Sequence, residues 1–221
     1  MTWDPVWEEV FKKQEWGKYP SEDLIRFISK NFYHVPSRSQ VKILEVGCGP
    51  GANLWFMARE GFSVYGIDGS ETAVLRASNR LREEVLDRHA KLVVGDIANL
   101  PFSNDYFDAV IDCEAIYCNS FESSVAIYNE LARVTKRGGK LFSRTFAKGS
   151  WGDETGEVVG HNAYIVEEGP LHSKGYSRFT GFEEIEQMVK GFCVQEIQLL
   201  TRKYMNVAKE VKEWIIIGEK R

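Results

Sequence analysis

Hydrophobic and polar residues alternate along this chain in a pattern that predicts strands and helices in turn. Short apolar runs, typical of strands buried in a parallel sheet, lie at 41–46, 62–68, 91–95, 107–113 and 140–146. Apolar residues at helical spacing lie between several of these runs, at 52–58, 70–85 and 120–133. This alternation predicts an α/β fold in which a parallel sheet carries helices on both faces.

Ahead of the first strand, the pattern predicts two amphipathic helices. The first covers 3–16, where aromatic and aliphatic residues recur at helical spacing, and Ser21 caps the second. Trp16 and Tyr19 lie in the turn between the two helices. This N-terminal piece either only packs on the core or also covers a ligand, in which case we expect Trp16 and Tyr19 to contact substrate.

After the fifth strand the periodicity breaks. Gly138 and Gly139 are expected to end the helix before that strand. Residues 148–175 read as an irregular stretch in which only 164–166 hints at a strand. Thr180 and Glu183 predict a capping box that starts another helix. Two final strands follow at 192–200 and 213–218. Their connection is short, which predicts an antiparallel pair.

The first strand leads into a turn that contains three glycines within five residues: Gly47, Gly49 and Gly51. Glycine lets the chain turn tightly and lets a ligand approach the backbone closely. A helix begins directly after the turn, and its free N–H groups favour a carboxylate, a phosphate or a ribose hydroxyl.

Acidic residues follow several of the predicted strands, and ligands of open parallel sheets bind at these carboxyl ends. Glu45 ends the first strand, Asp68 the second and Asp96 the third. The carboxylate of Asp68 can accept hydrogen bonds from both hydroxyls of a ribose. Asp96 can accept one from an adenine amine while Ile97 packs on the ring.

Composition and charge narrow the function without changing the fold. The chain has 221 residues, of which 43% are hydrophobic and 27% charged, as in an ordinary soluble domain. A net charge of −4 disfavours a nucleic-acid partner. No long apolar run and no signal pattern occur, so we expect the cytoplasm as the compartment and expect no membrane partner. The four cysteines form no zinc-binding pattern, so we expect no metal.

Five segments resemble, in order, the motifs of class I S-adenosylmethionine-dependent methyltransferases of the small-molecule, methyltransferase-11-like type. They are EVGCGPG at 45–51, YGIDGS at 65–70, GDIANLPF at 95–102, FDAVIDCEAIY at 107–117 and RVTKRGGKLFSRTF at 133–146. The resemblance implies a Rossmann-like, doubly wound, seven-stranded sheet, mostly parallel with the last strand antiparallel. We expect one domain over 1–221, made of a helical cap (1–36), a cofactor-binding core (37–146), a substrate-side lid insertion (147–179) and a C-terminal helix and strand pair (180–221).

The resemblance implies S-adenosylmethionine as the cofactor and assigns roles by position. The glycine turn would pass under the methionine part, Glu45 would hold the amino group, and Asp68 would bind the ribose. Asp112 or Cys113 would offer a backbone carbonyl to the ammonium group. The implied cofactor-binding residues are Glu45, Gly47, Cys48, Gly49, Gly51, Asp68, Gly69, Ser70, Asp96, Ile97, Asp112 and Cys113.

The implied reaction is an in-line displacement, which mainly requires alignment of the reactants and exclusion of water. A general base is needed only if the acceptor is a hydroxyl or a protonated amine. His161 and His172 are the first candidates for that base, followed by Glu114. Tyr117 lies where many family members place a residue that faces the substrate.

The acceptor is expected to be a small molecule methylated on O, N or C, and the protein a monomer or a homodimer. Motifs for methylation of amide or adenine nitrogens and of pyrimidine rings are absent. A nicotinamide-dependent oxidoreductase is a weaker alternative, because Gly51 comes one residue early for that fingerprint. A non-catalytic protein that binds S-adenosylmethionine is the other alternative.

Overall fold

The structure, a computed structural model, describes residues 3–221. Met1 and Thr2, the first residues of the predicted N-terminal cap, lie outside the described residues. The strands are β1 (Lys42–Val46), β2 (Ser63–Asp68), β3 (Ala90–Val94), β4 (Phe107–Cys113), β5 (Thr135–Phe146), β6 (Glu157–Gly160), β7 (Ala163–Ile165), β8 (Tyr176–Arg178), β9 (Phe192–Tyr204) and β10 (Lys209–Lys220). The α-helices are α1 (Val6–Lys13), α2 (Glu22–Phe32), α3 (Ala52–Arg59), α4 (Glu71–Glu83), α5 (Phe121–Val134) and α6 (Ile185–Met188).

A seven-stranded sheet in the order β3-β2-β1-β4-β5-β10-β9 forms the centre of the molecule. The first five strands pair in parallel, whereas β10 runs antiparallel to both β5 and β9. The predicted sheet, with its last strand antiparallel, is therefore confirmed. Val46 pairs with Ile67 on one side and Asp112 on the other, so the carboxyl ends of three strands meet at one edge.

Serine caps start three of the helices as local sequence predicts. The side chains of Ser21, Ser70 and Ser120 each accept a hydrogen bond from the backbone N–H three residues later. Each cap satisfies a donor that a helix start otherwise leaves unpaired, which fixes where α2, α4 and α5 begin.

The sheet buries apolar side chains on both faces. Ile43 and Leu44 are neighbours in β1 yet belong to different core clusters, because successive strand residues point to opposite faces. A third cluster contains Tyr117 and Phe146 and is covered by Leu171. Within residues 3–221, every helix is too short or too polar to cross a lipid bilayer.

The predicted helix end at the glycine pair was wrong. Helix α5 ends at Val134, and Thr135 is already extended, with φ −79° and ψ 138°. Gly138 and Gly139 lie within β5, where the pairing with β4 shifts its register. Gly138 has φ +73°, so the pair allows an irregularity in a strand instead of ending a helix.

Two predictions beyond β5 were also wrong in detail. Residues 148–175 are not irregular throughout, because β6 and β7 pair with β8 in a small antiparallel sheet. The capping box does not involve Thr180, whose N–H donates to Phe146 O (2.8 Å). Gly181 precedes the helical turn instead, and its N–H donates to Glu184 Oε2 (2.6 Å).

Candidate active site

The glycine turn brings the end of β1 over the start of α3. Gly47 and Gly51 have φ of +61° and +81°, a region that side chains disfavour. A Cβ on Gly47 would overlap Ala115, and one on Gly51 would lie 2.8 Å from Ala77 Cβ. Backbone conformation and close packing therefore both require glycine here, and the turn keeps its backbone open to a ligand.

Asp68, at the end of β2, accepts hydrogen bonds that hold this turn in place. Its Oδ2 accepts from Gly49 N–H (2.8 Å) and its Oδ1 from Ser70 N–H (2.9 Å). Burial raises the pKa of the Asp68 carboxyl. A carboxylate has about four acceptor positions, so it can still accept hydroxyl groups from a ligand.

Glu45, at the end of β1, is 2% exposed and only half satisfied. Its Oε1 accepts from Asn53 Nδ2 (2.6 Å), whereas its Oε2 is buried without a partner in the described residues. Burial, with repulsion from Asp68 and Asp112, raises the pKa of Glu45 to about 8. An unpartnered buried carboxyl oxygen beside a cavity fits a ligand that carries a positive charge.

That cavity has a volume of about 360 Å³ and lies at the carboxyl ends of the parallel strands. Glu45, Asp68 and the glycine turn line one part of it. Tyr117 and Phe146 line another part and stack edge to face, with ring centroids 5.0 Å apart. The N-terminal segment and the insertion contribute further lining residues, among them Trp7, Phe11, Trp16 and Leu171.

Glu114 lines the cavity from the end of β4, in a left-handed conformation with φ +59°. Its Oε1 lies 3.0 Å from Arg144 Nε, and Arg144 also donates to Glu213 Oε2 (2.6 Å). Burial and the hydrogen bond with Glu213 raise the pKa of Glu114 to about 8. Glu114 is therefore a carboxyl group that can take up or release a proton near neutral pH.

Most of the residues predicted to bind cofactor lie together around this cavity. Those that line it are Glu45, Gly47, Cys48, Gly49, Asp68, Gly69, Ile97 and Cys113. Four others hold the surrounding backbone instead. Gly51 precedes α3 and Ser70 caps α4. Asp96 accepts from Ala98 N–H (3.0 Å), and the Asp112 carboxylate accepts from Tyr128 OH (2.9 Å).

Some of the residues predicted to contact the substrate line the cavity, and others lie outside it. Tyr117, Trp16 and Glu114 line the cavity. Neither histidine is among the lining residues described over 3–221. His161 is 67% exposed and lies 2.7 Å from Glu184 Oε1, and His172 Nδ1 lies 3.2 Å from Val166 O. The atoms that these two side chains contact, in Glu184 and Val166, belong to residues outside the cavity lining, so the structure gives neither histidine a position as a base. Tyr19 is also displaced, because its ring packs against Trp55 and is 72% exposed.

Sequence reasoning missed several lining residues, including Trp3, Asp4, Asn53 and Lys174. The aromatic face of the first helix was a signal that this segment docks on something, but not that it borders the cavity. Lys174 carried no signal, since a single lysine in a polar stretch resembles any exposed lysine. No group of three or more acidic, histidine or cysteine side chains in the described part of the chain could hold a metal ion.

Comparison with known proteins gives this site a class. A methyltransferase domain family matches residues 43–139, which span β1 to the start of β5. Sterol 24-C-methyltransferase ERG6B from Gibberella zeae is 35% identical over 113 residues, or 48% of this chain and 28% of that protein. The chain spans less than half the length of the curated relatives it matches.

Two solved structures share the fold at low sequence identity. A SAM-dependent methyltransferase from Methanosarcina mazei has a TM-score of 0.65 and 18% identity, covering 81% of this chain and 92% of that one. The 1,6-didemethyltoxoflavin-N1-methyltransferase from Burkholderia thailandensis has a TM-score of 0.66 and 13% identity, covering 90% and 77%. Its structure contains S-adenosylhomocysteine.

The fold and the matched domain point to the same class of protein. Residues 43–139 match that methyltransferase domain, and the chain shares the Rossmann-like fold of solved S-adenosylmethionine-dependent methyltransferases. S-Adenosylmethionine is the cofactor of that family. The unpartnered carboxyl oxygen of Glu45 and the glycine turn beside it, which lines the cavity, fit its cationic amino-acid end.

Proposed function

We propose that this protein transfers a methyl group from S-adenosylmethionine to a small molecule. One observation carries the proposal: a single cavity of about 360 Å³ joins the glycine turn and Glu45 to an aromatic chamber. Tyr117 and Phe146 line that chamber, together with Trp16 and Leu171. A cavity of this volume is within the range of small-molecule sites.

In this proposal each part of the lining has one task. Glu45 holds the ammonium group of the cofactor beside the backbone of the glycine turn, and Asp68 holds the ribose hydroxyls. The bound cofactor supplies an electrophilic methyl group. Tyr117 and Phe146 position the acceptor and exclude water, because they form an apolar wall that is almost fully buried.

Glu114 is the proposed proton acceptor when the acceptor atom is an O–H or an N–H group. It borders the aromatic chamber, and its raised pKa of about 8 suits proton transfer near neutral pH. Arg144 holds Glu114 on one side and Glu213 on the other. This arrangement supports Glu114 in the role that the sequence had first assigned to His161 or His172.

The experiment has two stages. Isothermal calorimetry with S-adenosylhomocysteine and with NAD tests the cofactor, and we expect heat only with the former. Labelled S-adenosylmethionine and pooled metabolites then test for transfer, and we expect a labelled small product. Heat with NAD alone would contradict the proposal. Binding of S-adenosylhomocysteine without a labelled product from any pool would favour the non-catalytic alternative.

A further inference from the structure

If the proposed function holds, the order of the strands determines which end of the cofactor lies at which strand. Glu45 ends β1, Asp68 ends the adjacent β2, and Gly95 follows the next strand, β3. Neighbouring strands lie about 4.8 Å apart. A ligand with its ammonium group at Glu45 and its ribose at Asp68 therefore extends its base toward Gly69 and Ile97, which both line the cavity.

Gly69 is a glycine that its own backbone does not require. It does not have the positive φ that Gly47 and Gly51 have. A Cβ on Gly69 would nevertheless lie 2.5 Å from Trp3 Cγ and 2.8 Å from Trp3 Cε3. The space that a side chain at position 69 would take is filled by the indole of Trp3.

Two anchors hold the segment that carries Trp3 in this place. Asp4 accepts from Val6 N–H (3.0 Å) at the start of α1 and from Tyr176 N–H (3.4 Å) in the insertion. Glu8 accepts from the hydroxyls of Ser70 and Thr72, both at 2.5 Å, at the start of α4. The second anchor lies directly beside Gly69, so the indole is held where it contacts that glycine.

Trp3 borders the cavity and does not fill it. The volume of about 360 Å³ is what remains with the indole in position. Ile97, which is 7% exposed, lines the same region from the end of β3. An indole and an isoleucine side chain at one end of a cavity form an apolar slot of the kind that a planar base occupies.

We propose that Trp3 supplies the aromatic wall on which the adenine of S-adenosylmethionine stacks, and that position 69 is glycine to admit the indole. The N-terminal segment is then part of the cofactor site as well as a cover for the acceptor. The proposal rests on the proposed function for the identity of the ligand.

The first test compares the affinity for S-adenosylhomocysteine by calorimetry in the wild-type protein and two variants. Trp3→Ala is expected to weaken binding about ten-fold, the usual effect of removing an aromatic ring under a base. Trp3→Phe keeps a ring and is expected to bind within about three-fold of the wild type. Trp55→Ala is the control, because Trp55 packs against Tyr19 outside the cavity lining.

A second test asks whether an apolar side chain at position 69 can replace the indole. Gly69→Leu alone is expected to weaken binding, because leucine collides with Trp3. Trp3→Ala combined with Gly69→Leu is expected to recover most of the wild-type affinity, a non-additive result that only neighbouring residues give. Circular dichroism on each variant verifies that it is folded.

The outcomes separate this inference from the proposed function. If the wild type does not bind S-adenosylhomocysteine, the proposed function fails and the inference with it. If the wild type binds but Trp3→Ala binds equally well or more tightly, Trp3 is not the wall of the base site. A double variant no better than Trp3→Ala would also overturn the inference.

Discussion

At the scale of single residues, the protonation state of Glu45 determines how strongly the cavity binds a positively charged group. Its burial raises the pKa to about 8, so the carboxyl group is mostly neutral in the free protein at pH 7. Because this pKa lies above the ordinary value of 4.5, ionisation of Glu45 destabilises the free protein as the pH rises from 4.5 toward 8. A bound ammonium group favours the ionised form of Glu45 instead, because the two opposite charges attract.

Binding of S-adenosylhomocysteine should therefore become tighter as the pH rises from about 6 to about 8, with release of a proton. Calorimetry at pH 7 in two buffers of different ionisation enthalpy measures that proton directly. Glu45→Gln should weaken binding and remove most of the pH dependence, because the amide cannot ionise.

Glu114→Gln is the matched control for this prediction. The pKa of Glu114 is also about 8, but Glu114 follows β4 and is paired with Arg144, whereas Glu45 Oε2 has no partner among the described residues. Its replacement should leave the pH dependence of cofactor binding in place and lower turnover instead. A pH dependence that persists in Glu45→Gln but disappears in Glu114→Gln would contradict the role given to Glu45.

At the scale of elements, α1 is joined to α4 by a polar contact as well as by apolar packing. The Glu8 carboxylate accepts from Ser70 and Thr72, so a residue of α1 completes the N-terminal cap of α4. These hydrogen bonds lower the pKa of Glu8 to about 2. Ser70 caps its own helix and donates to Glu8 at the same time.

Glu8→Ala should lower the free energy of unfolding by about 1 kcal/mol, the usual effect of losing a capping contact. Because the pKa of Glu8 is lowered, its contribution is present above about pH 4.5 and is lost as the pH falls toward 2. Urea denaturation of the variant and the wild type at neutral and acidic pH measures this difference.

Glu9→Ala provides the control on the same helix. Glu9 pairs only with Lys12 and Lys13 among the described residues, at the surface, where such pairs contribute little. Its replacement should change the free energy of unfolding by less than about 0.5 kcal/mol. If Glu8→Ala and Glu9→Ala lowered the free energy of unfolding equally, the contact of Glu8 with α4 would not stabilise the protein beyond an ordinary surface ion pair.

At the scale of the whole molecule, two distant segments close the cavity. Lys174 donates to Gln14 Oε1 (2.8 Å) and lies 5.6 Å from the ring centre of Trp16. Asp4 and Tyr176 form a second contact between the same segments. The lining of the cavity is thus complete only when the N-terminal segment and the insertion are both docked on the sheet.

A ligand in the cavity should stabilise both segments together, because each contributes lining residues. Hydrogen exchange followed by mass spectrometry should show slower exchange in Val6–Lys13 and in 169–176 when S-adenosylhomocysteine is added. The hairpin tip at 205–208 is far from the cavity lining and should exchange unchanged. If exchange slowed only in the glycine turn, the prediction that the ligand stabilises both segments would be wrong.

The sequence alone predicted the sheet and the half of the site that is built from local patterns. The strand, turn and helix around Gly47 follow from short-range periodicity and from glycine. The position of Asp68 follows from the rule that carboxyl ends of parallel strands share an edge. Ser21 was recognised as a cap because capping depends only on residues three positions apart.

Tertiary structure alone decided which side chains from loops and from distant segments reach the cavity. Glu114 shares Arg144 with Glu213, a residue on β10 that no local pattern connects with β4. His161 turns to Glu184, and Trp3 rests on Gly69, through contacts between residues far apart in the chain. Periodicity and capping act over a few residues, whereas the direction of a loop side chain is set by the packing of whole elements.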